Sequence, residues 1–178
     1  MTTGTVLEWK LRAKRSRTAT QKHETAPSPG VNAKTSEFTV FRTLFESGRD
    51  NDFDAVAETI ADDCKWVLMS NMTSFKGKKD VVALCKAGKL ASEKNPEIIS
   101  DRATSEWGVF EYMNRAVITE SLSALAATSG WQFPADPSTL VGRKYEVPVC
   151  FVYNIDAQGK IYRVHEYLDL ASLMEQFE

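Results

Sequence analysis

One carboxylate near the end of the chain stands out by its neighbours. Residues Ile161–Leu168 read as a β-strand, and alternation puts Tyr162, Val164, Glu166 and Leu168 on one face, with Ile161, Arg163, His165 and Tyr167 on the other. Glu166 therefore sits among apolar side chains. Burial there disfavours the charged form, which raises a carboxyl pKa and suits it to general acid or base work near neutral pH. The competing reading is a structural ion pair with Arg115 or Arg163. Arg115 lies on a second long strand with Val109, Glu111, Met113 and Val117 on its face. An arginine turned inward needs a carboxylate, and Glu166 or Glu111 would serve. The opposite face of that strand, with Phe110, Tyr112, Asn114 and Ile118, offers an alternative register. Tyr112, Tyr145, Tyr153 and Tyr162 are all candidates for a hydroxyl that stabilises an oxyanion, and no local motif selects among them.

Other chemistries are poorly provided for. His23 and His165 are the only histidines, and His165 falls opposite Glu166, which makes it a surface or dimer-interface residue and not half of a His–Glu dyad. Cys64, Cys85 and Cys150 have no close spacing, so neither a disulfide framework nor a zinc site is expected, and the compartment reads as reducing. No GxGxxG, Walker, HExxH or CxxC pattern occurs. The expectation is therefore no metal and no cofactor.

The elements that must position Glu166 follow from patterning. A chain of 178 residues, 43% hydrophobic and 26% charged, fits one globular domain. No apolar run approaches the roughly 18 residues of a membrane span, and no secretory signal is visible, so the reading is a cytoplasmic protein. Residues 1–35 hold seven Lys/Arg against two acids and end in Pro27-Ser28-Pro29-Gly30. They read as a basic, flexible leader, with organelle import as an open alternative and nucleic acid as the less favoured partner. The domain boundary falls near Thr35, leaving 36–178 as the folded part. Ser36 as N-cap and the spacing of Phe38, Phe41, Leu44 and Phe45 predict a helix over 37–47, and Asp52 caps a second. Cys64 to Met69 reads as a strand and residues 78–89 as a third helix; from Glu97 onward 98–104, 109–119, Lys144–Ile155 and Ile161–Leu168 read as the long strands of an antiparallel meander, with a short closing helix over 171–177. The apolar-spotted segment 120–142 is expected to pack over an edge or mouth of the domain.

This order of elements, together with Gly159-Lys160-Ile161 and Val164-His165-Glu166-Tyr167-Leu168-Asp169, resembles the nuclear-transport-factor-2-like superfamily, in its SnoaL-like polyketide-cyclase, ketosteroid-isomerase and limonene-epoxide-hydrolase branches. The resemblance spans about 36–177. It implies an α+β cone: a strongly curved antiparallel sheet wrapped around three N-terminal helices, enclosing an apolar cavity, and commonly paired sheet to sheet as a homodimer. It also implies a catalytic set of Glu166, Arg115 and Asn71, the last resembling a water-binding asparagine, although asparagine is equally a common turn residue. Trp66, Met69, Met113, Val117, Tyr162, Val164 and Leu168 are the expected substrate-binding residues. Arg115-Ala116-Val117 departs from the Arg-x-Asp pair of the epoxide hydrolases by having valine for the acid, which weakens an epoxide-opening mechanism. The expected function is a cofactor-independent isomerase, cyclase, dehydratase or hydrolase acting on an apolar or polycyclic small molecule. The alternative is a non-catalytic ligand-binding or dimerisation module of the same fold.

Overall fold

The structure, a computed structural model, describes residues 39–90 and 92–178. The basic leader, the Ser36 cap and Phe38 lie outside the described residues. Helix α1 (Val40–Arg49) starts at Thr39, whose hydroxyl accepts from the Arg42 N–H at 3.1 Å. Asp52 caps α2 (Phe53–Thr59) by accepting from the Ala55 N–H at 3.0 Å, as its side chain and position predict. Strand β1 (Ile60–Leu68) follows without a loop and begins four residues earlier than the Cys64 start that alternation suggests. Then come β2 (Thr73–Lys76), α3 (Lys78–Leu90), β3 (Ser92–Lys94), β4 (Glu97–Ala103) and β5 (Trp107–Ile118). The segment 120–142 folds into α4 (Ser123–Ser129) and a 3-10 turn at Pro137–Leu140, with Leu122 and Leu140 buried. Strands β6 (Lys144–Ile155) and β7 (Ile161–Leu168) keep the predicted bounds, and α5 (Leu170–Glu175) closes the chain.

Seven strands form one sheet in the order β2-β1-β7-β6-β5-β3, with β4 also paired to β5. The fold is α+β, as expected, but the sheet is mixed and not purely antiparallel, because β1 and β7 run parallel. Alternation reports which face a strand buries and carries no information about the direction of its neighbour, so this pairing was invisible in the sequence. Two further helices, α4 and α5, join the three that precede the meander. Register shifts interrupt the β1–β7, β4–β5 and β6–β7 pairings, and each such irregularity bends and twists the sheet locally.

The core lies where α1 meets the sheet's inner face. Phe41 is the hub: its ring centroid is between 4.7 and 6.1 Å from those of Trp66, Phe110, Phe151 and Tyr153. Inner-facing positions are Phe110, Tyr112, Asn114, Ala116 and Ile118 on β5, and Val147, Val149, Phe151 and Tyr153 on β6, all buried. Among the described residues no helix is long and apolar enough to cross a membrane.

Candidate active site

Antiparallel and parallel pairing together align Glu166 with Phe151 on β6 and with Leu68 on β1, and Phe151 in turn with Phe110 on β5. All four side chains of this row face the helices. The next row is Leu168, Val149 and Tyr112, and the row after it pairs Val147 with Asn114. Between these rows and helices α1 and α3 lies a cavity of about 170 Å³, lined mainly by aliphatic and aromatic side chains. Among the described residues Glu166 is the one carboxylate in its lining, and Arg49 and Lys89, at the C-terminal ends of α1 and α3, are the two cations. Leu125, Ser129 and Trp131 line it from α4 and the loop after it, which fulfils the expected packing of 120–142 over a mouth.

Glu166 is half-buried, and its Oε2 accepts a hydrogen bond from the Trp66 indole Nε1 at 2.9 Å. A donor aimed at a carboxylate stabilises the charged form, which works against the desolvation expected from its apolar neighbours. Tyr112 is buried close by, its ring stacked at 6.1 Å on Phe151, which is Glu166's cross-strand partner. Burial pushes the Tyr112 phenol well above the ordinary tyrosine range, and negative charge on Glu166 and Tyr145 pushes the same way. It is therefore a neutral O–H donor over the whole physiological range. Asn114, beyond it on β5, donates from Nδ2 to the Tyr145 hydroxyl across a long 3.5 Å.

The structure gathers only part of the expected site. Glu166, Trp66 and Leu168 line the cavity. Arg115, Met113 and Val117 do not: they are on the outer face of β5, where Arg115 is paired in register with Glu146 and bonded to both Glu146 and Glu97. A guanidinium held by two carboxylates at the surface avoids the desolvation that an inward arginine would suffer, so the alternative register prevails. Tyr162 is displaced by a bulge: Arg163 pairs with Asn154 and Ile161 with Ile155, leaving Tyr162 as the extra residue, 42% exposed. Val164 faces inward but is packed in the core, outside the cavity lining. Met69 follows inward-facing Leu68, turns the other way, and borders a shallow groove beside Cys150 and Tyr167.

Asn71 is exposed and fully engaged as a turn residue. Its Oδ1 accepts from the Thr73 N–H and its Nδ2 donates to the Ser129 carbonyl at 2.8 Å, tying the β1–β2 turn to the end of α4. Among the polar residues of the cavity lining, Tyr112 is one of four tyrosines that no motif separates, and Asn114 and Trp131 are given no role in the site by the sequence. A signal existed for two of them, since the Phe110–Tyr112–Asn114–Ala116–Ile118 face of β5 carries no charge, whereas the face chosen instead carries Glu111 and Arg115.

No protein-family model matches the chain, and no curated protein matches it. Solved structures do. One is an LEH-like epoxide hydrolase of M. tuberculosis, at 14% identity, 78% of this chain, 86% of that chain and TM-score 0.56. Another is a candidate SnoaL-like polyketide cyclase from a Jannaschia species, at 15% identity, 78% and 88% coverage and TM-score 0.62. A third is an NTF2-like protein of Burkholderia pseudomallei, at 14% identity, 78% and 94% coverage and TM-score 0.58. The chain has the NTF2-like fold. At these identities the likeness extends to the architecture alone. The chemistry of this NTF2-like cavity is set by its own lining.

Proposed function

We propose that the protein is a cofactor-independent small-molecule enzyme in which Glu166 moves a proton on or off a ligand held in the cavity. The observation that carries this reading is the half-buried carboxylate of Glu166 in a mainly apolar lining, with one of its oxygens accepting from the Trp66 indole. Glu166 accepts a proton from carbon or water and returns it at another position of the same ligand, while the neutral Tyr112 hydroxyl donates to the oxygen on which charge develops. Isomerisation, dehydration, cyclisation and water addition all need no more than this. Mechanisms that require two carboxylates have no support in the described lining, where Glu166 is the one acid.

The cavity also narrows the substrate. An apolar cavity of about 150 Å³ accepts a benzene-sized ring, so about 170 Å³ favours a monocyclic ligand over the polycyclic one expected from the resemblance. A homodimer joined through the outer sheet face is part of the proposal; the exposed Tyr167 on β7 stands on that face. The alternative, a non-catalytic binding module, is favoured by the outward position of Arg115 and the engagement of Asn71, which leave Glu166 without two of its expected helpers.

The test is proton exchange. Deuterium incorporation next to the carbonyl of small cyclic ketones, followed by NMR, should be faster with the protein than in buffer, and Glu166→Gln should reduce that acceleration about 10²- to 10⁴-fold. Exchange that is unaffected by the substitution would remove Glu166 from the mechanism and favour the binding module.

A further inference from the structure

Trp66 differs from the other aromatic residues of the lining in what its one polar atom touches. Its Nε1–H donates to Glu166 Oε2 at 2.9 Å, and the residue is only 4% exposed. The parallel pairing of β1 with β7 sets this contact up. Trp66 aligns with Val164 and Leu68 with Glu166, so the indole and the carboxylate share the inner face and are one same-face position apart. The ring is also held from both sides: Phe151 meets it edge-on at 5.6 Å between centroids, and Phe41 flanks it at 6.1 Å. Both are core residues, so the N–H has little room to swing away from its acceptor.

An indole N–H donates and cannot accept. Of the two forms of a carboxyl group the carboxylate is the stronger acceptor, so this bond favours the ionised Glu166 against the cost of its apolar surroundings. It has a second effect on geometry. The terminal torsion of a glutamate is broad and soft, and a bond to a rigid donor removes much of that freedom. A general base gains from both, because it must be unprotonated and must meet its proton from one direction. The sequence makes Trp66 a substrate-binding residue, but in the structure its polar atom is engaged by Glu166. Among the described residues of the lining the other ionisable groups are Arg49 on α1, Cys85 and Lys89 on α3, Tyr112 on β5 and Tyr145 on β6, and exchanging the indole alters none of them.

We propose that Trp66 is a positioning residue for the proton transfer: its indole N–H holds the Glu166 carboxylate in one orientation and in its ionised form, ready to act as the base. The inference rests on the proposed role of Glu166, and goes beyond it by assigning the residue that keeps that carboxyl able to accept a proton.

The titration of the Glu166 carboxyl in the full chain tests this. With isotope-labelled glutamate the Glu166 signal is the one missing from Glu166→Gln, and NMR reads its midpoint without any substrate. Replacing the Trp66 indole by benzothiophene, through site-specific incorporation of benzothienylalanine, puts sulfur where the N–H stands and keeps the bicyclic shape. Loss of the donor penalises the charged form, so the midpoint should move up by about 1 to 2 pH units, and Trp66→Phe should move it the same way. The acid limb of ketone exchange should move up with it. A role in packing alone would instead lower the exchange rate at every pH and leave both midpoints in place. An unmoved or lowered Glu166 midpoint in the benzothienyl variant would overturn the proposal, and that variant decides alone should Trp66→Phe fail to fold. The two readings fail separately: no exchange by the parent chain, with the midpoint shifted as expected, would sink proton transfer alone, whereas exchange by the parent with an unmoved midpoint would sink the role of Trp66 alone.

Discussion

Arg115 donates from Nε to Glu146 at 2.8 Å and from Nη1 to Glu97, and nearly half of its side chain, 44%, is exposed. The two carboxylates hold the guanidinium pKa above its ordinary value. Such a surface network contributes little to stability once screening is counted, and it touches nothing in the cavity. Arg115→Ala is therefore expected to leave turnover unchanged and the melting temperature close to that of the parent chain. A large loss of activity measured on the folded variant would return Arg115 to the site. The contrast with Glu166 is one of environment: both are charged strand residues, but only Glu166 has its neighbours across β6 and β1, Phe151 and Leu68, closing over it.

At the scale of elements, the pairing of β5 with β6 sets which residues the cavity receives. Gly108 passes beneath Tyr153, its cross-strand partner: a Cβ there would be 2.3 Å from the Tyr153 Cζ and Oη and 2.8 Å from the Arg102 carbonyl oxygen. The absence of a side chain at 108 lets the Tyr153 ring lie flat in the core, where it stacks on Phe41 at 4.8 Å. Gly108→Ala should cost about 1–3 kcal/mol by overpacking, seen as a lower urea midpoint. It should also loosen the α1–sheet contact through Phe41. An unchanged midpoint would mean that β4 and β5 can part without cost.

For the molecule as a whole, the buried thiols and phenols make a common prediction about alkaline pH. Burial pushes the Cys64 thiol up to about 12, with the charge of Asp63 adding to it. Burial likewise raises Cys150, Tyr112 and Tyr153. In each case the folded state holds its proton more tightly than the unfolded chain. Between about pH 9, where an unfolded thiol ionises, and about pH 12, the unfolded state therefore binds fewer protons and stability falls as pH rises. Below that window these groups are protonated in both states and have no effect on the slope. Urea midpoints measured from pH 8 upward should decline past pH 9, and Cys64→Ala should flatten the decline. A variant with the parent slope would show that Cys64 ionises as freely in the folded protein as in the unfolded one.

By itself the sequence determined the class of fold, the bounds of β6 and β7, the Asp52 cap and the inward placement of Glu166. These depend on local patterns that one segment carries alone: a period of two, a capping side chain, an apolar neighbourhood. Tertiary structure alone decided which face of β5 is inner, because both faces hold enough apolar residues to be buried and only pairing with β6 and packing against Phe41 and Phe45 choose between them. It also decided the parallel β1–β7 contact, the bulge that expels Tyr162, and the hydrogen bond from Trp66 to Glu166. Each of these joins residues far apart in the chain, and the free energy that selects among such pairings resides in contacts that no single segment contains.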